Sequence, residues 1–148
     1  MTIVYDTFQA RYRDAFRELN EIWLEQFFEV EPIDAKVLGD PETHILEPGG
    51  QILFAIDDGV AIGTCALKPA GNQGTELTKM AVHPDQQGRG VGRGLLNAVL
   101  DYWQTEIGGR LFLESHSSLG PALSLYERAG FVHTPRPIPS DYERSDVY

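Results

Sequence analysis

From Arg11 to Val30, apolar side chains fall at Tyr12, Phe16, Leu19, Trp23, Phe27 and Val30. Spacings of three and four put them on one face of a helix, and Pro32 predicts its end. Residues 2–8 read as a short strand before it, and Asp40-Pro41-Glu42-Thr43 as the start of a short second helix closed by Pro48-Gly49-Gly50. Two apolar runs, residues 51–57 and 60–68, flank Asp58-Gly59, a pair suited to a two-residue hairpin turn. A turn at 71–74 leads into a strand over 75–82. A helix follows from the glycine-rich stretch at 88–94 to Glu106, with Leu95, Leu96, Val99, Leu100 and Trp103 as its apolar face. Gly108-Gly109 closes it. Residues 110–116 read as the next strand. Gly120-Pro121 opens a helix, with proline at a favoured first-turn position, and Gly130 ends it. Residues 131–134 predict another strand, and 143–148 a last one after a proline-rich stretch. The order β-α-α-β-β-β-α-β-α-β-β predicts an α/β domain with a mixed sheet.

Composition narrows this picture. With 148 residues, 42% hydrophobic and 10% aromatic, the chain suits one packed domain over residues 1–148. A net charge of −10 argues against a nucleic-acid partner. Residues 1–60 hold 13 acids and 4 bases, whereas residues 61–148 hold 9 and 8. A solvated acidic face explains this simply; the functional alternative is that the N-terminal part faces a cationic ligand and leaves an anionic cofactor to the rest. No apolar run approaches a membrane span, so no membrane partner is expected. The N-terminus lacks a secretory pattern. The single cysteine, Cys65, excludes an internal disulfide. A cytoplasmic setting is expected.

Residues 81–96 raise the chemical question, because glycines at 88, 90, 92 and 94 separate a strand from a helix. The dinucleotide fingerprint fails, since its third glycine would fall on Arg93, Leu95 or Asn97. A P-loop needs a lysine, and none occurs after Lys79. The loop still has the physics of an anion site. It leads to a helix N-terminus with unpaired N–H groups, its glycines let a ligand approach the backbone, and Arg89 and Arg93 add positive charge. A glycine-eased turn has the same pattern, so the pattern alone leaves both readings open.

Gln87-Gly88-Arg89-Gly90-Val91-Gly92 resembles the Q/R-x-x-G-x-G/A signature of the GNAT superfamily of acetyltransferases. Met80-Ala81-Val82-His83-Pro84 resembles the exit of that family's fourth strand. Ala122-Leu123-Ser124-Leu125-Tyr126-Glu127-Arg128-Ala129-Gly130-Phe131 resembles its tyrosine-bearing helix. The resemblance covers roughly residues 50–135 and implies a GNAT-like mixed, mostly antiparallel sheet flanked by helices. It implies acetyl-CoA as co-substrate, with N–H groups of Gly88, Arg89, Gly90, Val91, Gly92 and Arg93, beside Gln87, around the pyrophosphate. It also implies that the backbone of Met80, Ala81 and Val82 pairs with the pantetheine arm. One position departs from the family: Leu119 stands where an asparagine is common, and His116, Ser117 and Ser118 are the nearby polar alternatives.

The family usually transfers its acetyl group directly to an amine. An alkyl amine with a pKa near 10 is about 0.1% neutral at pH 7, a deficit of about 4 kcal/mol that a general base helps to supply. Glu76 stands where some family members, including the histone acetyltransferases, carry that base. On an alternating strand Glu76, Thr78, Met80 and Val82 share a face. Tyr126 is the candidate general acid at the leaving thiolate, and the Val82 N–H would polarise the carbonyl. Cys65 reads as a core residue, not a nucleophile. The four histidines show no metal-like spacing, and no metal is expected. Glu25, Glu29, Glu31 and Asp34 gather near the end of the first helix and suggest a cationic acceptor. That acceptor would be a small-molecule or protein amine, and the protein a monomer or homodimer. A non-catalytic acyl-CoA-binding or regulatory domain is the alternative reading.

Overall fold

A computed structural model describes residues 3–142 and 144–148. Thr2 and Glu143, each at the start of a predicted strand, lie outside the described residues. The sheet has five strands in the order β1-β2-β3-β4-β5: β1 Ile3–Thr7, β2 Gln51–Asp57, β3 Val60–Pro69, β4 Thr75–Val82 and β5 Leu111–Phe112. The first four run antiparallel, and β5 joins β4 in parallel. This is the mixed, mostly antiparallel and helix-flanked α/β architecture that the sequence predicts. Asp58 and Gly59 turn the β2–β3 hairpin with φ of 49° and 78°, the left-handed pair that a tight hairpin needs.

Strand alternation sorts the core onto two faces. Ile52, Phe54, Ile56 and Ala66 pack against Phe16 and Leu24 of helix α1 (Arg13–Phe27) and Val37 and Leu38 of α2 (Pro32–Gly39). Leu53, Cys65, Leu67 and Leu77 pack against Leu95, Leu96 and Val99 of α3 (Val91–Tyr102). Leu125 and Tyr126 of α4 (Gly120–Arg128) join this second face.

Several expectations are corrected. Helix α1 ends at Phe27, where the backbone of Phe28 becomes extended. Pro32 therefore does not stop α1 but starts α2, because its fixed φ and missing N–H suit a first helical position. The Asp34 carboxylate accepts the Glu31 N–H at 2.9 Å and completes a capping box there. The second helix thus begins before Asp40, and the stretch expected to start it forms a π-helical turn, Glu42–Leu46. The strand expected over 110–116 pairs only at Leu111–Phe112, plus a Ser115–Val147 bridge. Residues 131–134 form no ladder, although Thr134 N–H reaches the Tyr148 carbonyl at 3.3 Å. Pro135, Pro137 and Pro139 just beyond cannot donate to a strand pair.

Strand β4 carries the most consequential irregularity. Its register to β3 slips between Thr64 and Ala66, and Lys79 takes a φ of 54°. This bulge reverses the side-chain alternation. Glu76, Thr78 and Ala81 lie on the α1/α2 face, whereas Met80 and Val82 pack toward α3 and α4. The expected common face for Glu76, Thr78, Met80 and Val82 is thus broken at Lys79.

Gly94 lies inside α3, where glycine usually weakens a helix. A Cβ there would sit 1.9 Å from the Tyr5 hydroxyl oxygen, so the missing side chain lets α3 settle on β1. Gly94→Ala is expected to destabilise the fold by about 1–3 kcal/mol through overpacking. Urea unfolding checks this, and adding Tyr5→Leu should recover part of the loss.

Candidate active site

Strand β5 stops pairing with β4 after Glu76, so Leu77–Val82 have no strand on that side among the described residues. The two strands open a cleft. His83 N–H donates to the Ile62 carbonyl at 2.9 Å, toward β3. Ladder alternation then turns the Val82 N–H and carbonyl toward the open edge. The Gln87 side-chain amide reaches that carbonyl at 3.4 Å.

The glycine loop continues from this edge. Gly88 and Gly90 have φ of 86° and 77°, and Gly90 caps the N-terminus of α3. A cavity of about 510 Å³ runs along the loop. Met80, Ala81, Val82, Gln87, Gly88, Gly90, Val91 and Gly92 line one side; Ser118, Leu119, Leu125 and Tyr126 line the other, and Trp23 and Phe27 close one end. Its size suits a cofactor-scale ligand. Arg89 and Arg93 do not line it. Arg89 turns to Asp57 at 3.3 Å and also bonds Gln86, and Arg93 is exposed. Gly92 has ordinary room for a methyl group.

A second, narrow cavity of about 90 Å³ adjoins the first. Trp23, Met80, Leu119, Ala122 and Tyr126 line both. The Tyr126 hydroxyl points at the Met80 sulfur, 3.9 Å away, at this junction. Burial pushes the Tyr126 phenol above its ordinary pKa, so it is a neutral donor at rest. Glu76 lines the narrow cavity. Burial first, and the charge of Glu114 second, push its carboxyl up to about 7. Among the described residues it forms no hydrogen bond or ion pair.

The wall beside Glu76 is a buried charge network. Lys79 Nζ lies 2.6 Å from Asp34 Oδ1 and 3.2 Å from the Tyr142 hydroxyl. Arg144 forks onto both Asp34 oxygens at 2.7 and 2.8 Å and reaches Glu31 at 2.9 Å. Burial alone would raise the Asp34 carboxyl. The Arg144 hydrogen bonds and the Lys79 charge outweigh it and hold Asp34 at about 2. The acids near the end of α1 therefore do not present a free acidic wall. Glu31 and Asp34 are engaged by cations, and Glu25 and Glu29 are exposed.

Sequence reasoning missed Lys79, Tyr142 and Arg144. A single lysine inside the apolar run of β4 was the one available signal. Of the polar alternatives near Leu119, Ser118 lines the larger cavity, with its hydroxyl 2.7 Å from His116 Nδ1. Ser117 turns to Asp146 at 2.7 and 2.8 Å, and His116 lines the smaller cavity. Cys65 is buried, and burial pushes its thiol up, as befits a core residue. Among the described residues, no group of three or more His, Cys, Asp or Glu side chains is arranged to hold a metal ion. No described helix is long and apolar enough to cross a membrane.

The model of the acetyltransferase (GNAT) family matches residues 16–131. An uncharacterized N-acetyltransferase of Schizosaccharomyces pombe is 29% identical over 86% of this chain and 83% of its own length. The fold superposes on a GNAT-family acetyltransferase from Staphylococcus aureus with a TM-score of 0.87, at 20% identity, covering 99% and 96% of the two chains. A predicted acetyltransferase from Clostridium acetobutylicum, solved with acetyl-CoA, gives a TM-score of 0.72 at 15% identity, covering 95% and 96%.

Proposed function

The chain belongs to the GNAT family of acetyltransferases, which use acetyl-CoA as co-substrate, and on that premise we propose that residues 1–148 form one domain that moves the acetyl group to an amine by direct attack. The observation that carries this reading is the meeting of two cavities at Met80 and Tyr126, with the glycine loop on one and Glu76 on the other. Acetyl-CoA occupies the larger cavity. N–H groups at the start of α3 receive its pyrophosphate, and the open edge of β4 receives its pantetheine arm as an added strand would. Arg89, held by Asp57, contributes its backbone N–H rather than its guanidinium.

The acceptor amine enters the narrow cavity. Glu76 takes its proton, and a base poised near 7 is well matched to neutral pH. The amine nitrogen then attacks the thioester carbonyl, whose oxygen is met by the outward Val82 N–H. The C–N bond forms and the C–S bond breaks; the surplus proton left on the nitrogen passes to the departing sulfur, which forms as a thiolate beside Tyr126 and leaves as the thiol.

Burial alters the role of Tyr126. A phenol has an ordinary pKa of about 10, and burial raises that of Tyr126 and weakens it as an acid. Tyr126 stabilises the thiolate by donating a hydrogen bond and keeps its proton. A hydrogen bond to a charged group contributes about 1.5–3 kcal/mol, so Tyr126→Phe is expected to lower kcat roughly 10- to 150-fold. Release of free thiol from acetyl-CoA in the presence of an amine panel measures this. Full activity in the phenylalanine variant would remove Tyr126 from the reaction, and no thiol release with any amine would favour the non-catalytic binding domain instead.

A further inference from the structure

The narrow cavity is small, and most of the charges on its wall are paired. At about 10–15 Å³ per water-sized group, its 90 Å³ encloses about six to nine such groups. That is room for the head and stem of one slender amine. The aromatic walls are Trp23 and Phe28, with ring centroids 5.9 Å apart, and His116 stands edge-on to Phe28 at 5.4 Å.

The charges on the wall are already matched. Arg144 and Lys79 are committed to Asp34 and Glu31. Glu114 is paired with Arg136. Lys79 and Arg144 are thus not left to receive a carboxylate or phosphate on the acceptor. Glu76 is the lining carboxyl without a described partner, so the slot offers one negative charge to one ammonium group. Among the described lining residues, a polycationic acceptor would find no second unpaired carboxylate.

We propose that the acceptor is a slender primary alkyl or arylalkyl amine, carrying one ammonium group on an unbranched apolar stem, and that Trp23 and Phe28 select that stem. The stem lies against the aromatic faces while the nitrogen sits at Glu76. This rests on the reading of the narrow cavity as the acceptor side. The same head group can come from a free amine or from a lysine side chain.

The test compares kcat/KM by thiol release for hexylamine, phenethylamine, a lysine-containing peptide blocked at both ends, β-alanine and an aminoglycoside. β-Alanine carries a carboxylate two carbons from its amine. The slender amines or the blocked peptide are expected to exceed β-alanine and the aminoglycoside by at least 100-fold. Higher efficiency with the peptide identifies a protein lysine as the source, and the reverse identifies a small molecule. Either supports the slot. Equal or better turnover of β-alanine or the aminoglycoside would overturn the slot and leave the acetyltransferase reading standing. No turnover of any amine would overturn both.

Phe28 lines the narrow cavity and not the larger one. Phe28→Ala should therefore raise the KM for hexylamine about tenfold, with the KM for acetyl-CoA unchanged. It should also improve turnover of an α-branched amine relative to hexylamine, a gain that misfolding does not produce. Hydrophobic pockets discriminate by roughly 10- to 200-fold per group. An unchanged ratio would show that Phe28 does not select the stem.

Discussion

Glu76→Gln is expected to lower kcat about 100-fold at pH 8, at the modest end of what a positioned base contributes. Burial holds the native carboxyl at about 7, so its ionised, basic form accumulates as pH rises. At saturating amine, kcat of the native protein should climb from pH 6 and level off above 7. The glutamine variant should lose that inflection. Stability separates this loss from misfolding. A carboxyl whose folded pKa lies above its unfolded value of 4.5 weakens the fold as pH rises from about 4.5 to 7. Glutamine carries no such charge, so the variant should unfold no more readily than the parent at pH 8. A rate and pH profile identical to the parent's would take Glu76 out of the mechanism.

The largest expected loss of stability comes from Asp34→Asn. Asp34 is fully buried and faces Lys79 and Arg144 at once. Removing its charge leaves two partly or fully desolvated cations facing each other. Breaking a buried pair in this way costs about 3–5 kcal/mol, a large part of the about 5–15 kcal/mol that holds a domain together. Urea unfolding at pH 7 measures it. The triple variant Asp34→Leu, Lys79→Met, Arg144→Met removes all three charges and should lie much closer to the parent, because well-packed apolar replacement of an ion network is often neutral. Equal damage in both variants would show that shape, not charge, is what Asp34 provides. The sign of the pH effect follows from its depressed carboxyl. The contribution is fully present above the ordinary value of 3.8 and fades as pH falls toward about 2.

Much of this fold was legible because its signals are local. Asp58-Gly59 demands left-handed backbone, and the four glycines of 88–94 mark the close approach of loop and helix. Even Gly94 stands apart in the sequence, lying past the loop and inside the helical run, where it meets Tyr5. What stayed hidden was not local. An inserted residue at Lys79 leaves the apolar pattern of Thr75–Val82 looking like a simple alternation, so nothing told that Glu76 and Met80 part company. Pro32 reads equally as a stop or a start, and only the extended backbone at Phe28 and the cap at Asp34 decide. The partners of Asp34 lie 45 and 110 residues away, beyond any periodicity. The acids near α1 therefore looked like a surface for a cation when two of them were already engaged.

That separation of 110 residues also bears on how the molecule comes to exist. Contacts between distant segments must wait for the chain that supplies them, and their loop-closure entropy makes them late events. The hairpin, β4, the glycine loop and Tyr126 all emerge before Arg144 during synthesis. The cavity beside the glycine loop can thus be in place while the Asp34–Lys79 pair still lacks Arg144.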